Sequence, residues 1–105
     1  MIDVTVTWDL RPSIDHQAYA ELSKRAVDAV LNAAGFVEFH ANRNILGSPQ
    51  VRARYVWHSL ADWASFQESP EWQSLVEDFH SFATNVSYQI WGPSPVITKP
   101  LRPGQ

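Results

Sequence analysis

The sequence predicts an α+β domain in which a four-stranded antiparallel sheet carries its helices on one face, in the order β-α-β-β-α-β. Three observations carry that prediction. Four short segments alternate apolar and polar residues with the period of two of a half-buried strand, and the segments between them repeat at helical spacing. The second and third alternating segments are joined by Asn44 to Gln50, which holds Gly47-Ser48-Pro49 and has the length of a hairpin loop. Each strand has one strongly apolar register, so a single sheet face can receive all the helices.

The first strand runs from Ile2 to Trp8, with Ile2, Val4, Val6 and Trp8 opposing Asp3, Thr5 and Thr7. Arg11-Pro12-Ser13 punctuates the chain, and Ser13 or Asp15 supplies an N-cap. From His16 to Ala34 the period is helical. Tyr19, Leu22, Ala26, Val30 and Ala33 form its apolar stripe, while Glu21, Lys24, Arg25, Asp28 and Asn32 read as a solvated face. Gly35 is expected at the position just past the helix end.

Phe36 to Asn42 is the second strand, with Val37, Phe39 and Ala41 apolar against Glu38, His40 and Asn42. Val51 to His58 is the third, with Val51, Ala53, Tyr55 and Trp57 against Arg52, Arg54, Val56 and His58. Ser59 and Asp62 have capping-box spacing, and Trp63 and Phe66 share the face of the helix that follows. Ser69-Pro70-Glu71 then starts the helix afresh, with a cap, a proline at the first turn and an acid facing the dipole. Its stripe is Trp72, Leu75, Val76, Phe79, Phe82 and Ala83. Val86 to Trp91 is the last strand, with Val86, Tyr88 and Ile90 apolar, and Gly92-Pro93 stops it. The domain is expected over residues 1–92. Residues 93–105 read as an extended proline-rich tail with no core of its own. This is the split-βαβ, ferredoxin-like arrangement.

Composition narrows the function classes. A chain of 105 residues with 45% hydrophobic and 18% charged residues is one ordinary globular domain. A net charge of -3 without a basic stripe argues against nucleic acid as a partner. The absence of cysteine excludes disulfides, thiol catalysis and cysteine-ligated metals. No basic-then-apolar leader and no long apolar run is present, so no membrane partner and a cytoplasmic location are expected. His40, His58 and Glu38 share a polar register but lack metal-ligand spacing, and no phosphate-binding glycine pattern occurs. Neither a metal nor a cofactor is expected.

Gly35-Phe36, then Val56-Trp57-His58-Ser59 leading into Ala61-Asp62-Trp63 and Phe66, then Ser69-Pro70-Glu71-Trp72 and Ile90-Trp91-Gly92-Pro93, form a pattern across residues 2–92. In these residues the chain resembles the dimeric α/β-barrel superfamily, and within it the antibiotic-biosynthesis-monooxygenase-like (ABM-like) domains. The resemblance implies a homodimer whose two sheets face one another, which forms a dimeric α/β barrel. Asp3 and Glu38 would pair with Arg52 or Arg54 on the polar face, and the tail would clasp a neighbour. It also implies a cofactor-independent monooxygenase acting on an aromatic small molecule held between sheet and helices. The alternative is a non-catalytic homodimer that binds a small apolar ligand or serves a structural role. Haem degradation, also found in the superfamily, fits poorly: the first strand has no Asn, and Val76 stands near where an axial His would fall.

The residues that would wall such a ligand site are Trp8, Phe39, Trp57, Trp63, Phe66 and Trp72, with Tyr55 and Phe79 beside them. Regularly spaced aromatics also simply fill cores, but five Trp in so small a domain are hard to pack without gaps. For catalysis the residues are Tyr55, the one hydroxyl in the apolar register of its strand, and His80, at the edge of the last helical stripe. Asn44 is a further polar group for proton transfer.

Overall fold

The computed structural model describes residues 1–104. The elements are β1 (Ile2–Leu10), α1 (His16–Leu31), β2 (Phe36–Arg43), β3 (Val51–Trp57), α2 (Leu60–Gln67), α3 (Pro70–Phe79) and β4 (Ala83–Trp91). All neighbouring strands are antiparallel in the order β2-β3-β1-β4, so β1 and β3 are central and β2 and β4 are edges.

The helix starts follow the local chemistry. Asp15, and not Ser13, caps α1: its carboxylate accepts from the backbone N–H groups of Gln17 (3.0 Å) and Ala18 (3.1 Å). Ser13 instead occupies a left-handed turn position at φ 60°. Ser59 Oγ accepts from Asp62 N at 3.1 Å and donates to Asp62 Oδ2 at 3.0 Å, which caps α2. Ser69 Oγ accepts from Trp72 N at 3.2 Å at the head of α3, with Pro70 in the first turn.

Three boundaries differ from the periodicity, each for a local reason. Helix α1 stops at Leu31 with Asn32 as its C-cap. Gly35 therefore turns the chain into β2 and does not close the helix. It sits at φ +81°, its carbonyl accepts from His58 N at 2.8 Å, and a Cβ there would collide with the Asp62 carboxyl. In β2 the register slips between Phe36 and Glu38, so Phe36 joins Phe39 and Ala41 on the helix side and Val37 becomes the extra residue, half-exposed. Helix α3 ends at Phe79, and Ala83, 1% exposed, already begins β4. A second register shift, at Thr7/Asp9, accommodates this early start, with Asn85 at φ 53°.

The core lies between the sheet and the helices. It joins Val4, Val6 and Trp8 of β1 and Ala53, Tyr55 and Trp57 of β3 to Leu22, Val30, Trp63, Trp72 and Leu75. The other sheet face is polar. Arg54 donates from Nε (2.8 Å) and Nη2 (2.5 Å) to Asp3 Oδ2, and Thr5 Oγ1 donates to Asp3 Oδ1 at 2.9 Å. Glu38 pairs with His40 on its own strand at 2.7 Å and not with an arginine. Near the end of β1, the Asp9 carboxylate gathers Ser48 Oγ (2.6 Å), Gln50 N (2.8 Å) and Asn85 Nδ2 (3.1 Å), which ties the β2–β3 loop to β4. These bonds, Ser48's first, hold the Asp9 carboxyl below its ordinary range. Beyond β4 the chain bends at Ser94, whose Oγ accepts from Val96 N and Ile97 N at 3.1 Å each, and Val96, Ile97 and Leu101 are exposed.

Candidate functional site

Strand pairing sorts the helix-facing side chains into rows that cross the sheet. Phe36, Trp57 and Ile2 form one row; Phe39, Tyr55, Val4 and Ile90 form the next. Then come Ala41, Ala53, Val6 and Tyr88, and after them Val51 and Trp8. The third row is small across three of its four strands while its neighbours are bulky. Close packing requires the helices to fill the dip above it. They do not. Leu22, Ser23 and Ala26 of α1 and Leu75, Val76 and Phe79 of α3 roof over a cavity of about 210 Å³. Tyr88, 52% exposed, and Ala41, also exposed, mark where the row reaches solvent at the two sheet edges.

The cavity is walled largely by aromatic and aliphatic groups. Tyr55 stands edge-on to Trp72 at 6.0 Å between ring centroids and tilted against Phe39 at 5.2 Å. Trp8 packs edge-on to Phe79 at 4.9 Å, and its Nε1–H donates to the Tyr19 hydroxyl at 3.2 Å. The Tyr55 hydroxyl makes no hydrogen bond to another described residue, and the one buried side-chain polar atom left without a partner among the described residues is Trp57 Nε1. Burial pushes the Tyr55 pKa well above the usual phenol range, and repulsion from Tyr88 and Tyr19 raises it further, so it stays a neutral donor. No Asp, Glu, His, Lys or Arg lines the cavity.

Of the ligand-binding residues expected from sequence, Trp8, Phe39 and Trp72 line this space together with Tyr55. Trp57, Trp63 and Phe66 do not. They form a separate plug between β3 and α2, with ring centroids 5.1 to 6.3 Å apart and Trp57 fully buried. Phe66 meets Trp72 at 4.8 Å, so the plug backs the cavity wall without entering it. His80 is the exposed C-cap of α3 and lies outside the lining, behind Phe79 at 5.8 Å. Asn44 is also absent from the lining; its Oδ1 accepts from Leu46 N at 3.0 Å within the hairpin loop. The sequence reading missed Tyr19 and Tyr88 as wall and Ala41, Ala53 and Val6 as floor. Two alanines within otherwise bulky strand registers were the available signal. Among the described residues no group of three or more His, Cys, Asp or Glu is placed to hold a metal ion, and no helix is long and apolar enough to cross a membrane.

No protein-family model matches the sequence, and no curated protein matches it. Solved structures do match. SnoaB, a cofactor-independent oxygenase from Streptomyces nogalater, superposes with a TM-score of 0.76 at 10% identity, over 89% of this chain and 92% of that one. At3g17210 from Arabidopsis thaliana gives 0.78 at 13% identity, over 90% and 96%. A structure described as an antibiotic biosynthesis monooxygenase gives 0.77 at 10% identity, over 90% and 100%. The chain thus has the ferredoxin-like α+β fold of the ABM-like proteins.

Proposed function

We propose that the chain is an ABM-like, cofactor-independent monooxygenase that oxidises a small, electron-rich aromatic molecule held above the Ala41–Ala53–Val6 row. The observation that carries this reading is the apolar cavity of about 210 Å³ with the buried phenol of Tyr55 in its wall. A dry cavity of about 150 Å³ accommodates benzene, so this one suits a single ring or a fused pair. The chemistry that fits it is conversion of a ring CH2 to a carbonyl by O2, with water as the other product. The substrate supplies all the electrons: it gives a proton to solvent at the cavity mouth, its carbanion adds O2, the peroxide takes the proton back, and O–O cleavage with loss of the remaining C–H proton leaves the carbonyl and one water. The protein's part is to exclude water, hold the ring flat between Trp72 and Phe79, and donate the Tyr55 hydroxyl to the oxyanion that develops.

The test is oxygen uptake over a panel of bicyclic aromatic compounds with an acidic ring CH2, such as 2-tetralone and 2-indanone, measured above spontaneous oxidation. Under this reading Tyr55→Phe lowers turnover by about tenfold or more. Uptake that never exceeds the spontaneous rate sinks the enzyme reading. One observation favours the non-catalytic alternative: with no acid or base in the lining, the protein has no group of its own to take the substrate's proton. In that case ligands raise the melting temperature without oxygen uptake, by about 2.7 kcal/mol of added stability at a hundredfold excess over Kd.

We further propose that two copies pair through the polar sheet face, with the tail of each clasping the other. Trp91, 57% exposed on that face, and Val96 and Leu101, 85% and 72% exposed in the tail, offer apolar surface that a partner would cover. A monomer in sedimentation at micromolar concentration would overturn this.

A further inference from the structure

We propose that Trp8 and Tyr19 form a redox relay that draws a one-electron oxidant's equivalent out of the cavity to Tyr19, where a reductant in solution discharges it. The inference rests on the oxygenase reading for the source of the oxidant. When the substrate carbanion yields a single electron to O2 and the carbon radical meets a second O2, a peroxyl radical is left in the cavity.

Sulfur, the usual sink for such oxidants, is absent from the core. The chain has no cysteine, and its one methionine is Met1, exposed ahead of β1. The oxidisable groups of the cavity wall are therefore its indoles, Trp8 and Trp72, and its phenols, Tyr19, Tyr55 and Tyr88. Among the described residues, Trp8 and Tyr19 are the one indole and phenol joined directly: Trp8 Nε1–H donates to the Tyr19 hydroxyl oxygen at 3.2 Å.

Protons set the direction. An indole radical cation oxidises a phenol in neutral water, provided that the phenol's proton can leave. The Tyr19 oxygen is an acceptor here, so its own hydrogen is free for water, and the residue is partly exposed. Tyr55 is buried, and burial raises its pKa, so it keeps its proton and makes a poor terminus. Trp72 touches only further rings of the interior, Tyr55 and Phe66. Trp57 is fully buried and its Nε1–H has no acceptor, so a radical cation in the plug would be desolvated with its proton trapped. Tyr88 is more exposed than Tyr19 but is in ring contact with no other described residue.

The peroxyl radical takes one electron from Trp8 and a proton from water, which gives a hydroperoxide. The Trp8 radical cation takes an electron from Tyr19, whose O–H proton passes to water and leaves a phenoxyl radical. A thiol or ascorbate in solution then returns one hydrogen atom to Tyr19 and restores the phenol.

The experiment exposes the full chain to nitrogen dioxide radical, a neutral oxidant small enough to enter the cavity, and maps the products by mass spectrometry. One NO2 radical takes the electron and leaves as nitrite; a second couples with the phenoxyl radical to give 3-nitrotyrosine. The label therefore marks where the oxidising equivalent stops. The expected result is more nitration at Tyr19 than at Tyr88, although Tyr88 is the more exposed. In Trp8→Phe the order inverts: Tyr19 nitration is largely lost, while Tyr88 nitration is kept and reports an intact fold. In Tyr19→Phe nothing drains Trp8, which then accumulates hydroxylated and kynurenine products. That arm decides the question alone if Trp8→Phe does not fold. Nitration that follows exposure, Tyr19 nitration that survives Trp8→Phe, or a Trp8 left unmodified in Tyr19→Phe overturns the relay. No substrate turns over in this experiment, so failure of the oxygenase reading shows in oxygen uptake alone and remains distinguishable.

Discussion

Ala53→Leu tests whether the space above the small row is empty. Ala53 is 2% exposed at the centre of the row Ala41–Ala53–Val6–Tyr88, and its Cβ points into the cavity of about 210 Å³. Leucine adds three carbons to that position. At about 0.8 kcal/mol per buried methylene they contribute about 2 kcal/mol. Loss of leucine rotamer freedom offsets about 0.5–1 kcal/mol of this. The net expectation is a protein stabilised by about 1–2 kcal/mol. In a filled core the same change would overpack and cost about 1–3 kcal/mol, so the sign of the effect separates the two cases. Urea unfolding with an unchanged m-value is the stability assay, and indane titration on the same samples shows whether the site is lost. Binding should weaken by about tenfold or more as the added side chain takes the ligand's place. A variant that is destabilised and yet binds indane as before would refute the placement of the cavity over Ala53.

Three further outcomes follow from the geometry. Gly35→Ala forces a side chain into a left-handed position against the Asp62 carboxyl and disrupts the α2 cap, for a loss of about 2–3 kcal/mol in thermal melts. That loss should be less than additive with Asp62→Gly, which vacates the space. The Asp9 carboxyl, lowered chiefly by its Ser48 hydrogen bond and then by Asn85, adds stability above the ordinary carboxylate pKa that is lost as pH falls through its lowered value. The urea-midpoint gap between the wild type and Asp9→Asn should therefore narrow in acid; a gap unchanged into strong acid contradicts this. Tyr55 has the opposite sign: burial raises its pKa, so its contribution is complete below the ordinary phenol value of about 10 and is lost as pH rises above it. Tyr55→Phe should flatten the alkaline limb of the stability profile.

Much of the scaffold was legible because it depends on short-range rules. Alternation located the strands, and the capping serines Ser59 and Ser69 with Pro70 located the two halves of the broken helix. What failed was one residue of offset. Val37 was read as inward-facing because it alternates with Phe39, yet the bulge gives that place to Phe36; an extra residue in a strand has no periodicity of its own. Ala83 continued the helical stripe by spacing, and only the left-handed turn at Asn85 and the shift opposite Asp9 made it a strand residue. The candidate site was half visible. Large aromatic side chains announce themselves, so Trp8, Phe39, Tyr55 and Trp72 were found. A cavity, however, consists of what is missing. Ala41, Ala53 and Val6 become a floor only once three strands are in register, and that register is set by a hairpin loop and a bulge that no single segment encodes. Tyr19 and Tyr88 were hidden for the same reason.

The two edges of the sheet are defended unequally. On β2 the strand carries Glu38, His40 and Arg43 and is bent by its bulge, all of which discourage another chain from extending the ladder. On β4 the nine residues ATNVSYQIW hold no charge and no proline, and Tyr88, Ile90 and Trp91 are each more than half exposed. Such an edge is a template for strand addition and, in concentrated solution, for aggregation. Gly92-Pro93 stops the ladder from lengthening, but nothing within β4 blocks it from the side. The colloidal behaviour of the protein is therefore set by whatever lies along one strand, and its solubility reports on whether that strand is covered.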